Sequence, residues 1–224
     1  MKKFFSILLF AFCLFACKKE ITVTTPPPAT DNTVVGLEGN FKFTSSLTDE
    51  TGKGTATGSG TYSFTTDRKG TPGSALQLDG GSKLTISSIN QSANVASISV
   101  WVALDNLSTP LKYFLGCTAN GLAMSQSNTS ISGTVSVPTT NSAYTNCADN
   151  NWHHYAVTYD GVDVKIYKDG VLAGTQNNPG TISKGTVNFV LGYFNNAYWK
   201  GRIDELKIYS KLLSADEITK LAQE

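Results

Sequence analysis

Alternating apolar and polar positions dominate the chain from about Val34 onward, and turn residues interrupt them every eight to twelve positions. The clearest stretch runs from Asn151 to Gln176. Its first run, Trp152 to Tyr159, stops at Asp160-Gly161, its second, Val162 to Lys168, stops at Asp169-Gly170, and a third begins at Val171. Asp-Gly between alternating apolar runs is a strong short-range hairpin signal. Val162, Val164 and Ile166 fall on one face with Asp163, Lys165 and Tyr167 on the other, so a strand with one buried and one wet face is predicted. Upstream, Ile98, Val100 and Val102 alternate with Ser97, Ser99 and Trp101, and Leu76-Gln77-Leu78 and Leu84-Thr85-Ile86 flank the turn Asp79-Gly80-Gly81. Short strands at this spacing predict an all-β sandwich or barrel. Near the end, Ser214-Ala215-Asp216-Glu217 has the form of a capping box, and Ile218 and Leu221 follow at helical spacing, which predicts one short terminal helix.

The first residues follow a different pattern. Lys2 and Lys3 precede a run, Phe4 to Ala16, that is almost wholly apolar but only 13 residues long. A helix across about 30 Å of hydrocarbon needs about 20 residues. A charged start, a short apolar core and a small residue before the cut describe a secretory signal peptide, residues 1–16. Leu14-Phe15-Ala16-Cys17 resembles the bacterial lipobox, which implies cleavage before Cys17 and acylation of that cysteine. The alternative is an ordinary signal peptide with an incidental cysteine. Two or more acyl chains anchor stably where one does not. Residues 17–35 then form the lipidated terminus and a spacer around Pro26-Pro27-Pro28, extended in polyproline fashion or disordered. The expected location is the outer membrane or cell surface, since Lys18 departs from the aspartate associated with inner-membrane retention in some Gram-negative bacteria.

Residues 36–224 are a comfortable length for one β-sandwich domain. Taking Lys2 and Lys3 from the 18 basic residues leaves 16 against 17 acidic ones. No basic block is present, so nucleic acid is excluded as a partner, and the membrane is reached through the lipid alone. Once Cys13 leaves with the signal and Cys17 takes lipid, Cys117 and Cys147 remain. An even pair in an oxidising compartment predicts a disulfide, which would stabilise by roughly 3–4 kcal/mol through chain entropy. Two buried free thiols are the alternative.

Several segments together resemble a known family. Trp152-His153-His154-Tyr155-Ala156-Val157-Thr158-Tyr159-Asp160-Gly161 followed by Val164-Lys165-Ile166-Tyr167-Lys168-Asp169-Gly170 resembles the core of the laminin-G-like, concanavalin A-like domains. Gly201-Arg202-Ile203-Asp204-Glu205-Leu206-Lys207-Ile208-Tyr209, then Leu213 to Ile218, resembles that family's closing strand and helix. Phe41-Lys42-Phe43, Thr66-Asp67-Arg68-Lys69-Gly70 and Ala75 to Gly80 match in the family's order. The resemblance spans roughly residues 36–222 and implies a jelly roll of two antiparallel sheets. The family includes glycan binders, enzymes and structural modules, so fold alone leaves function open.

Retaining glycoside hydrolysis needs two carboxyl groups about 5–5.5 Å apart. Glucanases of this fold place them at alternate positions of one strand, and no two acids of residues 36–224 stand at that separation. Asp204 and Glu205 are adjacent and face opposite ways on a regular strand. No G-x-S-x-G elbow or H-E-x-x-H motif occurs. His153 and His154, also adjacent, cannot share one metal ion if the strand is regular. A non-enzymatic module is therefore expected, binding glycan or, alternatively, a surface protein; a glycosidase with acids from different strands is the distant third reading.

Tyr193-Phe194-Asn195-Asn196-Ala197-Tyr198-Trp199 combines ring faces with amides, the composition that sugar binding uses. Tyr193, Asn195 and Tyr198 are the candidate ligand contacts. The resemblance makes Trp199 a core aromatic, and Trp101 and Trp152 are expected inside the sandwich. It also implies structural calcium held by an aspartate of the last strand, Asp204, with the Asp79-Gly80 turn as partner. The alternative for Asp204 is a hydrogen-bond acceptor for nearby backbone.

Overall fold

The computed structural model describes residues 32–147 and 149–224; the signal peptide, the lipidation site Cys17 and the proline-rich stretch lie outside them. Along the chain come β1 (Leu37–Phe41), β2 (Thr55–Ser59), β3 (Tyr62–Thr65), β4 (Ala75–Asp79), β5 (Lys83–Gln91) and β6 (Ala96–Leu104). Then follow β7 (Lys112–Cys117), β8 (Leu122–Ser127), β9 (Ser130–Val137), β10 (Thr139–Asn146), β11 (Trp152–Tyr159), β12 (Asp163–Lys168) and β13 (Val171–Asn177). The last are β14 (Gly185–Leu191), β15 (Tyr193–Phe194), β16 (Ala197–Tyr198) and β17 (Lys200–Tyr209), before α1 (Ala215–Leu221).

Two large antiparallel sheets form a sandwich. The first runs β13-β12-β11-β6-β17-β4-β3, with β1 also paired to β17, and the second runs β10-β9-β8-β7-β14-β5-β2. Strand β17 serves two neighbours on one edge. Its first half pairs with β4, from Lys200↔Asp79 to Ile203↔Leu76, and its second half with β1, from Leu206↔Phe41 to Tyr209↔Leu37. The changeover coincides with a bulge: Glu205 has φ 49°, and the register against β6 shifts between Asp204 and Lys207.

The expected alternation builds the core. Ile98, Val100 and Val102 of β6 and Tyr155, Val157 and Tyr159 of β11 are buried against Phe114, Met124, Ile131 and Val135 of the second sheet. The sheets approach closely at Gly133, where a Cβ would lie 2.4 Å from Val157 Cγ2. The Asp169-Gly170 turn has φ of 51° and 84°, the two left-handed residues that a type I′ hairpin requires. At the preceding turn Asp160 accepts from the N–H groups of Val162 and Asp163, so Val162 belongs to the turn and is exposed while Val164 and Ile166 are buried.

Helix α1 starts at the predicted box. Glu217 N–H donates to Ser214 Oγ and Ser214 N–H donates back to Glu217 Oε2. Its buried residues, Ile218 and Leu221, close over Ala156, Tyr167 and Tyr209 on the outer face of the first sheet. Each such side chain contributes about 1.5–3 kcal/mol by leaving water. Among the described residues no helix is long and apolar enough to cross a membrane.

Two expectations fail here. Cys117 and Cys147 are free and buried. Cys117 Sγ lies beside Gly121, just before β8, whereas Cys147 N–H donates to Thr129 O, just after it. Opposite ends of a six-residue strand are separated by roughly 20 Å, far beyond the roughly 7 Å Cα limit of a disulfide. Trp101 and Trp152 are not between the sheets either. They sit half-buried on the outer face of the first sheet, under the guanidinium groups of Arg68 (4.7 Å) and Arg202 (5.4 Å).

Candidate functional site

The outer face of the second sheet is paved by the residues that alternate with the core. Strand β9 reads Ser130-Ile131-Ser132-Gly133-Thr134-Val135-Ser136-Val137, apolar or glycine inward and hydroxylated outward. Register carries that pattern across four strands. Tyr144 of β10 faces Ser132, Ser132 faces Ser125 of β8, and Ser125 faces Tyr113 of β7. In the next row Ser142 faces Thr134, which faces Ala123. Directly opposed residues share a face. The hydroxyls confirm it: Ser125–Ser132 at 2.6 Å, Thr134–Ser142 at 2.8 Å and Ser136–Thr140 at 2.9 Å.

Aromatic rings rim this floor. Tyr144 is 61% exposed, and the buried Ser132 and Ser125 separate it from Tyr113. Burial, with a smaller effect of Tyr144, holds the Tyr113 phenol above its ordinary pKa. On the far side the β15–β16 hairpin folds against β7. Gly116 leaves the space for it, since a Cβ there would lie 2.5 Å from the Phe194 ring. Phe194 in turn packs on Tyr113, ring centroids 5.2 Å apart.

The hairpin brings the three predicted contacts together. Asn195 and Asn196, φ 49° and 61°, form its type I′ turn. Tyr193 and Tyr198 face each other with centroids 4.6 Å apart, and Tyr193 OH donates to Asn196 Oδ1 at 3.0 Å. Asn195 and Tyr198 are exposed and Tyr193 half-buried. Trp199 is fully buried against Phe114, and its indole N–H donates to Gln126 Oε1 at 2.8 Å. A cleft of about 220 Å³ opens next to it, lined by Lys112, Gln126 and Lys200 among others. Tyr113, Tyr144 and the hydroxyl rows were missed by sequence reasoning, although the alternation in β9 was a usable signal for them.

The two aspartates expected at calcium do not meet. Asp79 faces Lys200 on β17, four positions before Asp204. Its Oδ1 accepts from Gly81 N–H and Ser82 Oγ, closing the β4–β5 turn. Asp204 is buried and ion-paired with Arg68. A guanidinium already supplies the positive charge at Asp204, so these residues do not fit a shared calcium ion.

A two-sheet antiparallel sandwich with a hydroxylated, aromatic-rimmed outer face has the architecture of a lectin-like domain. The chain belongs to the concanavalin A-like lectin/glucanases superfamily, whose Laminin_G_3 family model matches residues 78–219. No curated protein sequence matches it. Among solved structures, domain 4 of AbnA, an extracellular GH43 arabinanase from Geobacillus stearothermophilus, in complex with arabinotriose, is similar at 27% identity and TM-score 0.69. That match covers 84% of this chain and 98% of the domain. The binding domain of botulinum neurotoxin DC in complex with SialylT is similar at 14% identity and TM-score 0.69 over 84% of this chain. The same binding domain in complex with rat synaptotagmin II matches at 14% and 0.68, again over 84% of this chain. The chain spans 51% of those toxin structures, and at such identity the likeness is one of fold.

Proposed function

We propose that this domain is a non-catalytic carbohydrate-recognition module, displayed at the bacterial cell surface through acylation of Cys17. It takes a neutral oligosaccharide on the outer face of β7–β10. The observation that carries the reading is the cross-strand floor of Ser and Thr hydroxyls between Tyr144 and the Tyr113–Phe194 pair. Ser125, Ser132 and Thr134 are buried and fix the floor, while Ser136, Thr140 and Ser142 remain accessible with spare acceptor capacity, which suits sugar hydroxyls, and the rings suit the apolar faces of pyranose or furanose rings. The opposed rows carry no charged side chain, which favours an uncharged ligand and leaves no acid there for hydrolysis. The arabinotriose complex of the 27% identical arabinanase domain supports the same class of ligand.

Titration calorimetry against arabino-oligosaccharides and a wider panel of neutral glycans tests it. Binding without release of reducing sugar is the expected result; hydrolysis would overturn the non-catalytic part. A protein-contact role has one specific observation in its favour. Edge strand β13 exposes Val171 at 69% and Leu172 at 51%. Failure to bind across the whole panel would favour that edge as the working surface.

A further inference from the structure

We infer that the β10–β11 loop is a binding site for a zinc-class divalent ion, with Cys147, Asp149 and His153 as its protein ligands. Ligand atoms of these three side chains all lie within 4.8 Å of one another. A tetrahedral ion with bonds of about 2.0–2.3 Å needs ligand atoms about 3.3–3.8 Å apart, so shifts of roughly 1 Å complete the set. A thiolate, an imidazole and a carboxylate suit zinc and exclude calcium, which takes oxygen ligands alone.

The surroundings are arranged for ligation. His153 Nδ1 lies 2.7 Å from Asp169 Oδ2, and its Nε2 lies 3.0 Å from Asp149 Oδ1. Asp169 is itself fixed, accepting the His154 N–H through Oδ1 at 2.9 Å. A carboxylate on one ring nitrogen orients the other toward a metal ion. With Nδ1 held by Asp169, Nε2 is the ring nitrogen left to face the ion beside Asp149. Asp149 is oriented by the Asn151 N–H, which donates to its Oδ1 at 2.9 Å. Lys168 and Arg202 pin the loop by donating to the carbonyls of Asn146 and Asn150.

Behind the triad the Tyr155 hydroxyl is fully buried and lies against Cys147, so the thiol side of the site is closed to solvent. The Asp149 side chain is 47% exposed and that of His153 17%, so an ion enters from solvent and a water completes its shell.

Cobalt(II) is the probe, because a thiolate ligand adds a sulfur-to-metal charge-transfer band in the near ultraviolet. The full chain, stripped of metal, should show that band on cobalt addition, lose it on adding zinc, and rise in melting temperature with zinc by mass action. C147S should abolish the band. C117S should keep it, as should a chain with serine at Cys13 and Cys17. Asp169→Asn preserves the acceptor for His154 N–H but not the one for His153 Nδ1–H, and asparagine tolerates the φ of 51° there. It should fold normally and bind zinc about 10–100-fold more weakly. Absence of the band in the unsubstituted chain, or its persistence in C147S, would overturn the assignment, and so would unchanged zinc affinity in Asp169→Asn.

Discussion

The Arg68 guanidinium lies over the Trp101 ring, 4.7 Å from its centroid, and the same group ion-pairs with Asp204. Register places Asp204 on one side of Trp101 and His154 on the other, so the three form one row on the outer face of the first sheet. Both titratable members are driven toward neutrality. Burial raises the Asp204 carboxyl to about 6, with Arg68 opposing, and burial lowers the His154 imidazole to about 3.

These shifts act on stability with opposite signs. Asp204 binds its proton more tightly folded than unfolded, so its contribution falls as pH rises from about 4 to 6. His154 binds its proton less tightly folded, so its contribution is lost as pH falls from 6.5 towards 3. Each slope is about 1.4 kcal/mol per pH unit, and between pH 4 and 6 they cancel. Asp204→Asn should therefore gain stability relative to the parent as pH rises through that window, by up to about 3 kcal/mol. His154→Gln should gain relative to the parent as pH falls. Denaturant unfolding at pH 4, 5, 6 and 7 reads both, and parallel pH profiles for parent and variants would refute the burial argument.

Close approach of the sheets makes Gly133 sensitive to one methyl group. A Cβ there meets Val157 Cγ2 at 2.4 Å and Cγ1 at 2.8 Å, both on a packed β-branched side chain. Gly133→Ala should cost roughly 1–3 kcal/mol through overpacking. Adding Val157→Ala should return part of that loss, so the double variant should be less destabilised than the sum of the singles. Additive effects would mean that the two positions do not collide.

Surface display has its own test. The lipobox ending in Cys17 predicts that the full chain sediments with membranes and carries acyl groups on that residue. Cys17→Ser should release the protein to the soluble fraction or leave the signal uncleaved. An unmodified mature N-terminus elsewhere, read by mass spectrometry, would exclude the anchor.

Local signals carried much of the architecture. Asp169-Gly170 marks the β12–β13 hairpin and Ser214-x-x-Glu217 the start of α1, because turn and cap chemistry depend on residues within four positions. Long-range partnerships were not legible. Arg68 and Asp204 are 136 positions apart, and no sequence pattern shows that a guanidinium occupies the aspartate assigned to calcium. Parity suggested pairing Cys117 with Cys147, but parity is silent about which end of a strand each occupies. The candidate site is intermediate. The mix of rings and amides from Tyr193 to Trp199 was readable in the sequence, though not its hairpin, whereas Tyr113 and Tyr144 share a face only through the register of β7 to β10.

Ligand binding separates the flat face from the hairpin tip. Tyr144 is 61% exposed on an edge strand, so Tyr144→Ala should leave stability within about 0.5 kcal/mol of the parent. A ring stacked on a sugar loses contact area and about 0.5–1.5 kcal/mol of specific interaction when truncated, so affinity should fall about tenfold. Tyr113→Ala should weaken binding similarly but also destabilise, because it uncovers Phe194. Gly116→Ala is the most diagnostic change. It removes no group that touches ligand, yet a Cβ 2.5 Å from the Phe194 ring must push the hairpin off β7. If the hairpin walls the site, Gly116→Ala should weaken binding as much as Tyr113→Ala does. If ligand sits on the tip alone, Tyr193→Ala and Tyr198→Ala should reduce affinity while Tyr144→Ala leaves it unchanged, and the site moves to the hairpin. Full affinity in all five variants would remove this face from consideration.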